Sequence, residues 1–354
     1  MSGESMRAIV YHGPQDLRLE QRPIPEIAGD EALLRVGSTS ICGTDLRIYH
    51  GDHRKYPPGT VRTPGHEVAG EIVAVGSQVA GLKSGQHVFI APNMGCGHCP
   101  ECISGRNNLC SNYTAIGINL DGSFAEYMRI PAAAIRQGNL IPIRDNLDPA
   151  QAALIEPFAC VLRGQDAVHV GVGDRVLVVG AGPIGLMHAL LARVRGASKV
   201  FISEVLPERL AQARDIEVDR VVNPLEEDLS QVIAEETNGR GADVILIAAP
   251  AHKAQEQSLE LAAIGGRINF FGNLPKGNPN ITFNSNLVHY KELVVTGTTA
   301  CSTSDCWRAA EIVLSRGVDL SPMISARFPL DQVDRAFAMA EDRSALKVVF
   351  DASQ

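Results

Sequence analysis

Apolar residues follow two different patterns along this chain. From Asp174 onward, short apolar runs alternate with longer stretches of helical periodicity. Residues 176–179, 200–203, 220–222, 243–248, 266–271 and 293–296 read as six strands. Unbroken runs such as VLVV suit strands buried on both faces of a parallel sheet. Six such strands with helical crossovers predict a doubly wound α/β sheet, and residues 162–170 read as the helix leading into it. Earlier in the chain, residues 6–10, 17–20, 32–36 and 71–75 read as strands separated by Gly and Pro, with no clear helical stripe. That half is expected to be irregular and β-rich.

Chemistry first shows at the start of the α/β half. The strand at 176–179 runs into Gly180, Gly182 and Gly185, a helix follows over 186–194, and a second strand ends at Glu204. This is a dinucleotide-binding, Rossmann-type fingerprint. The first glycine permits the tight turn, the second lets a pyrophosphate approach, and the third lets helix and strand pack closely. The helix N-terminus, with Pro183 and Ile184, then offers free N–H groups to phosphate. Glu204 can accept both hydroxyls of an adenosine ribose and would repel a 2′-phosphate, which favours NAD over NADP. Arg209, Ala248, Phe271, Gly272, Thr298 and Thr299 complete the candidate cofactor contacts, because ligands of such sheets lie beyond the carboxyl ends of the strands. The uncharged stretch 176–192 is not read as a membrane span: it holds three glycines and a proline and falls short of ~20 apolar residues.

Length and charge narrow the class. With 354 residues, two domains are expected, and a net charge of −8 argues against nucleic acid as partner. An N-terminus without an apolar stretch predicts a cytoplasmic, unsecreted protein. Eight cysteines then point to metal or thiol chemistry in preference to disulfides.

Cys96, Cys99, Cys102 and Cys110 lie in one loop rich in Gly, Asn and Pro, at C-x2-C-x2-C-x7-C spacing. Four thiolates can close a tetrahedral shell around zinc with no open position, the form of a structural site. A bacterial iron–sulfur spacing differs from this only in the last gap. Zinc is the reading adopted. His98, inside the loop, is expected to face solvent. Upstream, Cys42 and Thr44 occur in ICGTD, and His66 and Glu67 in PGHE.

In this order, CGTD, GHE, the four-cysteine loop and the glycine fingerprint resemble the zinc-dependent medium-chain dehydrogenases, in their polyol (sorbitol) and threonine dehydrogenase branch. The similarity runs over nearly the whole chain. It implies a GroES-like catalytic domain made of 1–162 and 299–354 and an NAD-binding Rossmann domain of 163–298. It implies two zinc ions per chain, the second on Cys42, His66 and Glu67, with Glu156 as fourth ligand or just behind it. It places Thr44 as a proton relay and Lys347 near the cofactor pyrophosphate. The implied reaction is oxidation of a secondary alcohol of a polyol or sugar derivative to a ketone: zinc acidifies the hydroxyl, and hydride passes to NAD. L-threonine 3-dehydrogenase, a sugar-alcohol phosphate or sugar-acid dehydrogenase and, remotely, a non-catalytic member are the alternatives. The family also implies a homo-dimer or homo-tetramer, and pairing of nucleotide-sheet edges near 287–296 would serve.

The chain departs from that pattern at two positions. Some relatives carry histidine five residues after the zinc cysteine, where this chain has Arg47, which stays protonated and cannot shuttle a proton. Ala300 stands where sorbitol dehydrogenases place a substrate-touching arginine. Arg47, His50, His53, Arg54 and Lys55 form a basic stretch, which is either a solvated face or a site for an anion.

Overall fold

The computed structural model describes residues 4–315, 317–342 and 345–352. The chain divides into two compact units, Met1–Ala159 with Cys301–Gln354, and Cys160–Ala300.

In the second unit six parallel strands form one sheet, in the order Arg220–Val222, Lys199–Ser203, Arg175–Val179, Ala242–Ile247, Ala262–Phe270, Val294–Gly297. The order reverses between Arg175–Val179 and Ala242–Ile247, the switch point of a doubly wound sheet. Leu177, Phe201, Ile245, Ile247 and Ile268 are fully buried, as unbroken apolar runs require. The strand expected at 266–271 starts earlier, at Ala262, and its neighbour starts at Val294 instead of Leu293. The helix expected over 162–170 is Ile155–Asp166. Pro157 is tolerated there because it lies in the first turn, where its missing N–H has no intrahelical partner. The helix stops early because His169 takes a left-handed φ of 49° and the Gly171 N–H turns to Asp174 Oδ2 at 2.9 Å.

The first unit is built on a seven-stranded sheet. Ile324–Phe328, Lys347–Asp351, Ala32–Ser40, Glu67–Val75, His87–Ile90 and Leu140–Pro142 follow in order, and Tyr127–Ile130 also pairs with Ala32–Ser40. Leu34, Val36, Val68, Ile72, Ile90, Phe124 and Phe350 fill its core. The strand expected at 71–75 begins four residues earlier, so His66 and Glu67 sit at its entrance. Before residue 154 the described residues of this unit form only short helices, among them Gly43–Tyr49, Ala132–Arg136 and Pro149–Ala153 with seven, five and five residues, too few for an apolar stripe to repeat over two turns. Its longer helices, Thr303–Leu314 and Val333–Asp342, come from the returning C-terminal segment.

Candidate metal centres and cofactor edge

Sheet register assembles the first centre. Ser40 stands opposite Glu67 in one antiparallel pair, and Val349 stands opposite Ser40 in the next. Two residues beyond Ser40, Cys42 caps the helix Gly43–Tyr49, and its backbone N–H donates to Asp45 Oδ2 at 2.9 Å. Cys42 Sγ, a ring nitrogen of His66 and a carboxylate oxygen of Glu67 thereby lie within 4.8 Å of one another. His66 Nδ1 faces Asp45 Oδ1 at 3.6 Å, which leaves Nε2 for a metal. Glu67 is divided in its use. Ser40 Oγ and Lys347 Nζ both donate to Oε2, while Oε1 is buried with no hydrogen-bond partner among the described residues.

The charges also favour a cation. Burial opposes a charged imidazole, yet the Asp45 carboxylate and then Cys42 hold the His66 pKa well above its ordinary value. The negative groups that raise it, Asp45 and Cys42, make this a pocket short of positive charge. A sulfur, a nitrogen and an unpartnered buried oxygen make a mixed donor set suited to zinc with an exchangeable position. Glu156 is buried outside this three-atom group. Burial first, then the negative charge of Glu67, pushes its pKa up to about 7, against His66 and Lys347. Cys301 Sγ lies 3.6 Å from its Oε1.

Lys347 corrects an expectation. The resemblance places it near the cofactor pyrophosphate, but it is 5% exposed and its ammonium donates to Glu67 and to the Ile41 carbonyl at 3.0 Å. Burial would depress its pKa; Glu67 and then Cys42 raise it instead. A buried ammonium persists only with such partners, and Glu67 among them belongs to the candidate donor set.

The four loop cysteines form a second centre, with all Sγ atoms within 4.8 Å. Cys99 and Cys110 Sγ are 3.7 Å apart. That is too far for a disulfide and close to the ~3.8 Å edge of a tetrahedron with Zn–S bonds of ~2.3 Å. Backbone N–H groups of Cys96 and Cys102 point at Cys110 and Cys99 sulfurs, at 3.3 and 3.5 Å. Cys96 is drawn down to about 6, first by the His98 N–H. Cys99 is pushed up to about 12: the Cys102 N–H favours its thiolate, but partial burial and the other three thiols outweigh it. Without a cation, four adjacent thiolates cannot coexist. His98 is exposed.

In the second unit the candidate cofactor residues lie along the carboxyl edge of the sheet. Gly180 has φ +102°, and a Cβ on Gly185 would meet the Gly180 carbonyl at 1.8 Å, so both positions require glycine. Gly182 caps the helix Pro183–Val194. Arg209 lies over it, Nη1 3.3 Å from where a Cβ would be. Glu204 is buried, with Oε2 accepting the Ala181 N–H at 2.8 Å and Oε1 those of Val205 and Leu206 at 2.6 and 3.0 Å. Its carboxylate therefore sits against the glycine loop. Ala248 N–H donates to the Val179 carbonyl, Phe271 and Gly272 donate to that of Ile247, and Thr298 Oγ1 donates to Asn269 Oδ1 at 3.3 Å. Thr299 is exposed and Ile184 half-buried at the helix start.

Residues 28–145 match the alcohol dehydrogenase GroES-like domain, and residues 183–315 match the zinc-binding dehydrogenase domain. The chain belongs to the zinc-dependent medium-chain dehydrogenases. It is an oxidoreductase of that family. L-threonine 3-dehydrogenase of Escherichia coli is 36% identical over 335 residues, covering 92% of this chain and 94% of the relative. The Chromobacterium violaceum enzyme of the same name is 34% identical over 343 residues, covering 95% and 96%. Among solved structures, a zinc-binding dehydrogenase of Sinorhizobium meliloti bound to NADP has a TM-score of 0.89 at 32% identity, covering 98% of this chain and 99% of that one. An Escherichia coli alcohol dehydrogenase complexed with NADH has a TM-score of 0.89 at 27% identity, covering 99% and 100%.

Asp45, Ser40 and Cys301 flank the candidate donor set, and the sequence alone gives none of them a role there. Asp45 had a signal, since an acid three residues after the Cys42 cap is the spacing of a capping box. Ser40 and Cys301 had none, because only strand register and the return of the chain after residue 300 bring them to Glu67 and Glu156. Among the described residues, no helix is long and apolar enough to cross a membrane.

Proposed function

We propose that this chain oxidises a secondary alcohol of a polyol or sugar derivative to a ketone, with zinc on Cys42, His66 and Glu67 and NAD as hydride acceptor. The unpartnered Glu67 Oε1, buried beside a cysteine sulfur and an imidazole, carries this reading. Zinc bound there would supply a Lewis acid for the substrate hydroxyl, and NAD would supply the acceptor. The chain's own residues do the rest. Asp45 fixes the Cys42 backbone and the His66 ring, while Ser40 and Lys347 fix Glu67 so that one oxygen stays available. Thr44, two residues from Cys42, presents a half-buried hydroxyl to take the substrate's proton. Glu156, a buried carboxyl with a pKa near neutrality, stands behind the ligand set. The four-cysteine loop holds a second, structural zinc.

The first unit is thus the catalytic domain and the second the cofactor domain. Glu204 would meet the adenosine ribose, supporting NAD over NADP. L-threonine is the second candidate substrate, favoured by the 36% identity to threonine dehydrogenases over 92% of the chain. Pairing of edge strands Val294–Gly297, where Val294 is 52% exposed, supports a homo-dimer.

The test is zinc content together with NAD and NADP reduction across free polyols, phosphorylated polyols, sugar acids and L-threonine. About two zinc per chain and NAD-dependent ketone formation are expected. A preparation that never holds more than one zinc, or that turns over no alcohol, overturns the reading. Equal or better turnover with NADP refutes the role given to Glu204.

A further inference from the structure

The helix that starts at Cys42 carries a cation that hydride transfer does not require. Arg47, one turn beyond Thr44, bends its guanidinium back so that Nη2 donates to Thr44 Oγ1 at 2.9 Å. Only one of its five N–H donors is engaged in that bond. Several of the basic groups around it are committed elsewhere or uncharged. His50 pairs with Glu341 at 2.5 Å, and Arg62 donates to the Lys55 and Ile118 carbonyls at 3.2 and 2.6 Å. Lys347 is engaged with Glu67. His53 packs edge-on to Tyr56 and stays neutral, since burial and then the Arg47 charge push its pKa down to about 4. Asp45, the acid nearest in sequence, points instead to Cys42 and His66. Among the described residues, no carboxylate lies within ion-pair distance of Arg47. Arg54 is exposed and lacks the tether that Thr44 gives Arg47.

An exposed guanidinium tethered by one hydrogen bond, with donors to spare, is the group that recognises carboxylate or phosphate oxygens in pairs. Its neighbour is the hydroxyl that a reacting alcohol would meet. Side chains one turn apart are ~5–6 Å apart, so an anion on Arg47 would sit only a few bonds from the carbinol carbon. The chain's net charge of −8 offers such a substrate no general attraction, so a local cation has to select it. We propose that Arg47 determines specificity, selecting secondary alcohols that carry a carboxylate or phosphate within a few bonds of the reacting carbon. This rests on the alcohol-oxidising reading above. It places the substrate among hydroxy acids, sugar acids, β-hydroxy amino acids and polyol phosphates, with neutral polyols poor substitutes.

The experiment uses the zinc-loaded full-length protein with NAD and charge-matched substrate pairs: L-threonine against its amide, an aldonate against the alditol, a polyol phosphate against the polyol. Wild type, Arg47→Gln and Arg47→Lys are compared. At least one anionic member is expected to have kcat/KM ~10- to 100-fold above its neutral partner, the range of a hydrogen bond to a charged group. Arg47→Gln should lower kcat/KM for the anionic member by about tenfold more than for its neutral partner, and so shrink the ratio, mainly through KM. Arg47→Lys should restore part of the ratio. The carboxylate and phosphate pairs distinguish the two anions. No wild-type preference for either anion, an equal loss for both members of a pair, or a raised KM for NAD in place of substrate overturns the proposal. The last result would make Arg47 a cofactor contact. NADH formation from neutral polyols alone leaves the alcohol-oxidising reading intact while refuting the charge selection. NADH formation from no member overturns both.

Discussion

Replacing Cys102 by serine should open the loop at 96–110 and leave the rest of the chain folded. The loop has little other than metal to close it. Ile103 is 76% exposed and Leu109 42% exposed, so its apolar side chains bury little surface. Its hydrogen bonds to other segments hold the stem, while those of residues 99–106 run within the loop itself. Gln137 exchanges two bonds with Gly95, at 3.0 and 2.8 Å, while Asn107 donates to the Asn93 carbonyl at 2.8 Å and accepts from Thr303 at 3.0 Å. Closing a 15-residue loop costs about 3 kcal/mol of chain entropy. Without a complete thiolate shell that cost goes uncompensated, so the open population rises roughly 100-fold. Arg106 is exposed inside the loop, which makes trypsin the reporter, because cleavage of a fast-opening segment follows the open population. Cys102→Ser should hold one zinc in place of two and be cut after Arg106 about 100-fold faster than wild type. Cys42→Ser should also lose one zinc yet resist trypsin as wild type does. If Cys102→Ser keeps two zinc ions, or loses one without faster cleavage, the loop is not closed by metal.

Two further substitutions test the second unit. Gly185→Ala would put a Cβ 1.8 Å from the Gly180 carbonyl and displace the glycine loop. NADH affinity, read by fluorescence, should fall at least about tenfold while zinc content stays at two; unchanged affinity would refute the cofactor edge. His188 is fully buried against Phe271, and burial depresses its pKa to about 3. The folded state therefore binds fewer protons than the unfolded state between pH 3 and ~6.5. Stability is full above ~6.5 and is lost as pH falls toward 3. Between pH 7.5 and 5 this group costs about 2 kcal/mol. In urea unfolding, His188→Leu should lose that much less than wild type over the same interval, and parallel losses would show that His188 is not the acid-sensitive group.

What the sequence disclosed depended on how far apart the cooperating residues lie. The glycine fingerprint and the four-cysteine loop were legible because each completes its geometry within about one loop or one strand–helix turn. All six strands of the parallel sheet were legible too: Arg175–Val179, Lys199–Ser203 and Ala242–Ile247 because burial leaves an apolar run, and the edge strands Arg220–Val222 and Val294–Gly297, which are partly exposed, by their place in the strand–helix alternation. Their ends were misplaced by one to four residues where backbone pairing outlasts the apolar pattern, as at Ala262. The short helices before residue 154 left no periodicity to find. Cys42, His66 and Glu67 became a set only through resemblance, because spacing alone does not join a helix cap to the start of a strand.

Lys347 shows what resemblance by position leaves out. Its ammonium meets Glu67 across 280 residues, through two registers that put Lys347–Asp351 beside Ala32–Ser40 and Ser40 opposite Glu67. A lysine presented to a phosphate needs an open head group, whereas this one is buried among carboxylates and thiol. Its effect falls on Glu67, the proposed metal ligand. By holding Oε2 together with Ser40 it fixes the rotamer of Glu67, and by adding a positive charge it weakens the pull of that carboxylate on a cation. The centre thus combines a firmly placed oxygen with a moderated charge, which suits a ligand that must leave room for an incoming alcohol.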